Sequence, residues 1–141
     1  GALSSAADVL SEGQALGIFP EGTRSKRSEA PFLLPGKTGI ARLAASYPDA
    51  VVVPIALLGT RRMMMPQDHK FPRLWRRIAL SAGTGVTWFE WLKHPKGGAI
   101  TVEQLQEISM QEEHEIRASL ASLYRKFTDQ LMGSISKLGA P

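Results

Sequence analysis

A carboxylate, a turn and a cluster of cations lie close together in the stretch GIFPEGTRSKRS, residues 17–28. Glu21 and Gly22 belong to a Pro-Glu-Gly turn, and Arg24 follows it closely. Gly22 allows backbone N–H groups to approach a ligand, and a guanidinium such as that of Arg24 binds phosphate well. Lys37 opens a predicted helix, where free N–H groups favour an anion. These residues predict a phosphate-ester site in which Glu21 orients a cation or holds a substrate hydroxyl. The alternative is a surface ion pair worth under about 1 kcal/mol.

Other chemical motifs are weaker. PGKTG, residues 35–39, contains the Gly-Lys-Thr of a P-loop, but Pro31 occupies the position of that motif's first glycine, which excludes a nucleoside-triphosphatase. The chain has no cysteine, so thiolate catalysis and disulfides are excluded. The histidines, His69, His94 and His114, lack metal-ligand spacing and are interpreted as solvated. We therefore predict no metal site.

The elements that must position the phosphate site follow an alternating pattern. The sequence predicts a short helix closed by Gly13, an apolar strand over residues 15–19, a helix over 37–46 and a strand over 50–59 that Pro54 interrupts. Strand, helix and strand in this order predict a right-handed parallel crossover, with the site at the carboxyl end of its first strand. Because residues 50–59 lack polar alternation, we expect that strand to be covered on both faces.

The C-terminal part is predicted to be mainly helical. Residues 77–82 indicate a weaker strand, and the aromatic cluster at residues 88–91 indicates a packed loop. Thr101 and Gln104 form a capping-box pattern that opens a helical region over 101–139. One long amphipathic helix is predicted from apolar residues at helical spacing: Ile116, Leu120, Leu123, Phe127 and Leu131. The chain of 141 residues is thus expected to be a single α/β domain, with a mixed, partly parallel sheet and flanking helices.

The charge distribution suggests an anionic partner. The net charge is +4, but residues 20–80 contain eleven lysines and arginines against four acidic residues, and residues 101–115 are acidic. A phosphate ester, a membrane surface or a nucleic acid would suit this basic half, whereas a merely solvated surface is the alternative. No apolar run of about eighteen residues could span a bilayer.

Three blocks resemble a known enzyme family. FPEGTRS, residues 19–25, resembles the third conserved block of the glycerolphosphate and lysophosphatidate acyltransferases. GKTGIARLA, residues 36–44, resembles the segment that follows it, and VVPIALLGT, residues 52–60, is similar to the fourth block. YRKFTDQLMGSISKLG, residues 124–139, also resembles the closing helix of bacterial members. Three blocks in family order make a specific signal, although PEGT alone would be weak.

The resemblance implies a glycerolphosphate-acyltransferase-like fold and a reaction. A fatty acyl group would pass from acyl-CoA or an acyl carrier protein, as co-substrate without any further cofactor, to 1-acyl-glycerol-3-phosphate (lysophosphatidic acid), giving phosphatidic acid. By the same resemblance Glu21, Gly22 and Thr23 belong to the acceptor-binding block, Arg24 would hold the phosphate and Lys37 would assist it. A peripheral position on the cytoplasmic face of a membrane is also implied.

One departure from the family concerns the general base. The family uses the histidine of an H-x4-D block to take the proton from the acceptor hydroxyl, but Leu74, Ala99 and Ser119 stand five residues after the three histidines of this chain. No catalytic residue is therefore assigned. Since the family's block lies upstream of FPEGTRS, we expect the N-terminal part of the domain to be missing. We also expect the chain alone to be inactive and, through an exposed sheet edge, prone to self-association.

A second interpretation is a non-catalytic module that binds anionic phospholipid or a membrane surface. It would use Arg61, Arg62 and Arg73, with the methionines at 63–65 and Trp75, as a basic, methionine-rich loop. Adjacent methionines more often fill a core or a loop. Nucleic-acid binding is disfavoured, because the cations are not interleaved with aromatic residues as a stacking platform requires.

Overall fold

The computed structural model describes residues 1–65 and 70–141, which form helices and short strands around one core. In chain order the elements are α1 (Ala2–Ser11), α2 (Gly39–Ser46), β1 (Val51–Val52), β2 (Ile55–Leu58), α3 (Thr60–Met63), β3 (Ala79–Ala82), β4 (Val86–Thr87), α4 (Trp88–Lys93), α5 (Val102–Ser109) and α6 (Glu113–Lys137). Within the described ranges, no helix has the length and apolar character needed to cross a membrane.

The strands form two separate antiparallel pairs. β1 pairs with β4, and β2 pairs with β3 in a register that places Ile55 opposite Ala82. Pro54 separates β1 from β2, because proline has no N–H for a ladder. Its carbonyl still accepts a hydrogen bond from the Gly83 amide at 2.9 Å. The weak strand predicted over residues 77–82 is confirmed in β3.

The predicted parallel crossover is wrong for the described residues, because its first strand does not form. Residues 15–19 are irregular, and the side chains of Ile18 and Phe19 are 38% and 71% exposed. An apolar run becomes a strand only where a neighbouring strand accepts its backbone hydrogen bonds. Both strand pairs of the described chain are antiparallel, so the site is not located by a parallel sheet edge.

The expectation that residues 50–59 are covered on both faces is also wrong. Val51, Val53 and Ile55 are exposed, whereas Pro54 and Ala56 are buried. This alternation has the period of a strand that packs on one face only. The apolar sequence therefore leaves a row of β-branched side chains on the surface.

The predicted long helix is confirmed, and its apolar face forms much of the core. α6 buries Phe127, Leu131 and Ile135 at intervals of one helical turn. α2 packs against this face through small residues, Ala41 and Ala44, which allow the two helices to approach closely. The same packing brings the start of α2 beside the middle of α6, next to the predicted phosphate site.

The aromatic cluster at residues 88–91 is a helix, not the predicted loop. The side chain of Thr87 accepts a hydrogen bond from the Glu90 amide at 3.1 Å, which caps α4 at its N-terminus. Trp91 packs edge-on against Phe127, with ring centroids 5.1 Å apart, and its indole N–H donates to Gln130 at 2.7 Å. The capping box predicted at Thr101 is confirmed at the start of α5.

Candidate functional site

The turn of the candidate site is held by backbone hydrogen bonds. The Gly22 amide donates to the Phe19 carbonyl at 3.0 Å, and the Lys37 amide donates to the Pro20 carbonyl at 2.8 Å. Gly22 has a φ of 68°, in the left-handed region that glycine adopts without a steric penalty. The second hydrogen bond brings the turn to the segment that precedes α2, although no strand leads into it.

The side chain of Lys37 lies directly across this turn. A Cβ atom built on Gly22 would stand 3.0 Å from both Cδ and Nζ of Lys37, closer than ordinary van der Waals contact. The missing side chain of Gly22 therefore creates the space that the lysine occupies. Since Lys37 is exposed, its ammonium group remains accessible to a ligand beside the turn.

Glu21 is half-buried and binds the protein itself. Its Oε2 atom accepts a hydrogen bond from the Leu34 amide at 2.7 Å. The neighbouring Leu33 amide donates to the carbonyl of Pro141 at 3.0 Å. The carboxylate thus links the turn to the end of the loop over residues 25–35, and through this link it positions the turn.

Arg125 of α6 holds the backbone next to the candidate site. Its Nη2 atom donates to the carbonyl of Gly36 at 2.8 Å and forms an ion pair with Asp129 at 2.6 Å. Gly36 is buried against α6, and a Cβ atom there would stand 2.7 Å from Cγ2 of Thr128. These contacts fix the backbone immediately before Lys37. Arg125 is not predicted from the sequence, since nothing in the local sequence marks a contact across 89 residues.

The cations that follow the turn have two different roles. Arg27 donates to the carbonyl of Pro31 at 2.8 Å, and Arg61 donates to the carbonyl of Arg27 at 3.0 Å while it stacks on Phe32. These two arginines hold the loop over residues 25–35 together. Arg24 is exposed, as is Thr23, and within residues 1–65 and 70–141 neither side chain has a hydrogen-bond or ion-pair partner.

The structure therefore brings together Glu21, Gly22 and Lys37, with Thr23 and Arg24 next along the chain. Lys37, just before α2, and Arg24, two residues after Gly22, are accessible cations, and each can bind an anion through its charge. The one carboxylate of the group is engaged by a backbone amide. The arrangement suits the binding of a phosphate group.

Two of the three histidines, His94 and His114, lie outside this group. His94 and His114 are exposed, and Nδ1 of His94 accepts a hydrogen bond from the Lys96 amide at 3.0 Å. His69, interpreted above as solvated, lies outside the described residues. In the part of the chain that the structure describes, no three acidic or histidine side chains gather as metal ligands would.

Comparison with known proteins supports an acyltransferase relationship for the first part of the chain. The family model described as Acyltransferase matches residues 1–58, a range that contains Glu21, Gly22, Thr23, Arg24 and Lys37. The match supports a general acyltransferase role, in agreement with the motifs in this range. No curated protein and no solved structure matches the chain.

Proposed function

We propose that this chain provides the acceptor-binding part of an acyltransferase of phospholipid synthesis. The acceptor is 1-acyl-glycerol-3-phosphate, and acyl-CoA or an acyl carrier protein donates the fatty acyl group, giving phosphatidic acid. The protein works as a peripheral protein on the cytoplasmic face of a membrane, where this acceptor resides. The family match over residues 1–58 supports the reaction class, and the motif FPEGTRS supports the acceptor.

The observation that carries this proposal is the position of Lys37 across Gly22. The backbone at Lys37 is held there by the hydrogen bond of its amide to the Pro20 carbonyl and by the hydrogen bond of Arg125 to the Gly36 carbonyl. Arg24 stands two residues beyond Gly22 with an exposed side chain. A phosphate group placed over the turn would meet the Lys37 ammonium group, and Oε2 of the nearby Glu21 carboxylate is engaged by the Leu34 amide.

The chain alone is expected to bind the acceptor without transferring the acyl group. None of its three histidines is followed by an aspartate at the H-x4-D spacing, and among the described residues neither His94 nor His114 has a carboxylate partner that would orient its imidazole as that block does. An assay with acyl-CoA and the acceptor should give no product above the uncatalysed rate. Product formation would show that another group of this chain serves as the base.

Calorimetric titration with a soluble, short-chain 1-acyl-glycerol-3-phosphate tests the binding site. Lys37→Met should weaken binding by about tenfold to a hundredfold, because a charge-assisted hydrogen bond contributes roughly 1.5–3 kcal/mol. Lys26→Met is the matched control, since Lys26 is an exposed lysine of the same cluster, whereas the side-chain atoms that face Gly22 belong to Lys37. It should change the affinity less than threefold, as surface charges contribute about 0–1 kcal/mol.

The titration also has outcomes that contradict the proposal. Equal losses of affinity in the Lys37 and Lys26 variants would mean that general electrostatic attraction, and not a specific site, binds the acceptor. Equal binding of the uncharged 1-acyl-glycerol would show that the phosphate is not recognised.

The non-catalytic membrane-surface module remains the second candidate. The observation that favours it is the exposure of Trp75 beside several arginines, Arg73, Arg76 and Arg77. The two candidates differ in the titration above, because a surface module would not need Lys37 for the short-chain acceptor.

A further inference from the structure

The segment before and within β3 exposes several large apolar side chains. Phe71, Leu74 and Trp75 are 81%, 76% and 76% exposed, and Ile78 and Leu80 are also on the surface. Single exposed apolar residues are normal in a monomer, but a contiguous group marks an interaction surface. We call residues 70–78 the docking segment.

Cations alternate with these apolar side chains. Lys70, Arg76 and Arg77 are exposed within the docking segment, and the sequence from 50 to 89 contains one acidic residue, Asp68, against six lysines and arginines. In the described ranges the ion pairs lie on α6, which leaves the charge of the exposed cations available to an external anion. The partner of this surface must therefore be both apolar and negatively charged.

The backbone of the docking segment is attached to the body at two points. The Arg73 amide donates to the Met63 carbonyl at 2.7 Å, next to α3. The carbonyl of Arg77 packs against Gly59, where an added Cβ atom would stand only 2.6 Å away. The exposed side chains between these two points therefore project from a backbone that is attached to the rest of the protein. Their exposure is a property of the folded structure.

We propose that the docking segment binds a membrane surface rich in anionic phospholipid. Phe71, Leu74 and Trp75 enter the headgroup region, where indole rings are favoured, and the neighbouring cations contact lipid phosphates. This inference deepens the peripheral membrane location proposed above, because it names the surface that makes the contact.

The composition of the surface favours a bilayer over a nucleic acid. Cations do alternate with two aromatic residues here, Phe71 and Trp75, contrary to the sequence-based expectation. Leu74 and Ile78 are aliphatic, however, and single-stranded nucleic acid binds through stacking on aromatic rings. A lipid headgroup region accommodates aliphatic and aromatic side chains together and attracts cations at the same time. The anionic bilayer is therefore the partner that uses every exposed side chain of the segment.

Tryptophan fluorescence provides a direct test, because the three tryptophans differ in exposure. Trp75 is exposed, whereas Trp88 and Trp91 are each only 6% exposed. Phosphatidylcholine vesicles with phosphatidylglycerol, and with bromine on the acyl chains, should quench Trp75 and carry the protein into the pellet. Vesicles of phosphatidylcholine alone should do so at least tenfold less well, because each surface cation contributes about 1 kcal/mol on an anionic membrane.

Paired variants locate the contact. Binding to anionic vesicles, measured by sedimentation, should weaken by about tenfold or more in each of two double variants. The first is Phe71→Ser with Leu74→Ser, and the second is Arg76→Ser with Arg77→Ser. The apolar control is Val102→Ser with Met110→Ser, which removes two exposed side chains near α5. The charge control is Arg117→Ser with Lys126→Ser on α6. Both controls should retain vesicle binding within about twofold to threefold.

Three results would overturn the inference: no difference between the segment variants and their controls, equal binding to neutral vesicles, or strong quenching of Trp75 by single-stranded RNA with no vesicle binding. The proposed function is tested separately, since titration with the short-chain acceptor contains no vesicles and depends on Lys37. A variant of the docking segment that loses vesicle binding should keep its affinity for that acceptor. Unchanged melting of the variants shows that folding is retained.

Discussion

At the scale of single residues, two glycines with nearly the same backbone serve different purposes. Gly22 and Gly13 have φ angles of 68° and 73°, but a Cβ atom would meet Lys37 at Gly22 and nothing within 4 Å at Gly13. Conformation explains why glycine is favoured at both positions. The contact with Lys37 adds a requirement at Gly22 alone, and this requirement belongs to the candidate site.

Alanine substitution separates the two requirements. Gly22→Ala and Gly13→Ala should each lower the free energy of unfolding by about 1–2 kcal/mol, because the left-handed conformation is strained for alanine. Only Gly22→Ala should also weaken binding of the short-chain acceptor, since its methyl group displaces the Lys37 side chain. Denaturant unfolding and calorimetric titration of both variants check this. A similar loss of affinity in Gly13→Ala would mean that general stability, rather than the lysine, governs binding.

The residues of the site could be predicted better than the reason for their proximity. Sequence alone suggested that Glu21, Gly22, Arg24 and Lys37 act together, because turn and charge chemistry are local properties. The structure places Lys37 across Gly22, whereas the side chain of Arg24 has no hydrogen-bond or ion-pair partner among the described residues. The expected meeting place, the end of a parallel strand, was wrong; the Lys37–Pro20 hydrogen bond brings the turn and the lysine together instead. Arg125 could not be found, since its contact with Gly36 depends on how a distant helix packs.

At the scale of elements, the packing of α6 against the segment before α2 sets the geometry under the site. Gly36 is buried there, with Cγ2 of Thr128 2.7 Å and Cγ of Met132 2.8 Å from the position of an added Cβ atom. Neither neighbour can move freely, because both are buried in the core face of α6. The close approach of the two elements therefore depends on this glycine.

Gly36→Ala should destabilise the fold by about 1–3 kcal/mol through overpacking. Thr128→Ser in the same chain removes the nearest methyl group and should recover part of that loss, which a double-mutant cycle of thermal or denaturant unfolding measures. Gly133→Ala is the control on α6, since an added Cβ atom there meets nothing within 4 Å. It should stabilise the helix by about 0.5–1 kcal/mol. Full additivity of the two substitutions at 36 and 128 would contradict the packing argument.

Elements with a strong local signal were predicted well. The apolar period of α6 and the capping box at Thr101 were sufficient, because helices and their caps are stabilised within a short stretch of chain. The helix α4 was missed, although Thr87 and Glu90 carry the same capping signal. The strand at residues 15–19 failed because a strand needs a partner that the sequence of the strand itself does not reveal.

At the scale of the whole molecule, the sheet pairs leave an apolar surface and unpaired strand edges. Each pair has two strands, so each strand of the described chain has a partner on one side. Val51, Val53 and Ile55 project from the exposed side of β1 and β2 and the link between them. Exposed edges with β-branched side chains favour pairing between molecules.

We expect concentration-dependent self-association, which sedimentation velocity measures. Val53→Lys should shift the protein toward the monomer, because a charge beside a strand edge opposes edge-to-edge pairing. Val102→Lys on α5 introduces the same charge at another exposed valine and should leave association unchanged. A monomer at all concentrations, or an equal effect of both lysines, would contradict the role given to this edge.

The hydrogen bond between Arg125 and Gly36 also sets an order of events during synthesis. The ribosome makes the segment around Lys37 first and reaches its support on α6 only 89 residues later. At about 5–20 residues per second, this interval is roughly 4–18 s. Until then Lys37 and its turn lack the support of Arg125. The apolar residues that α6 will cover are still exposed, and chaperones can bind them. The candidate site is therefore assembled late, after most of the chain has been translated.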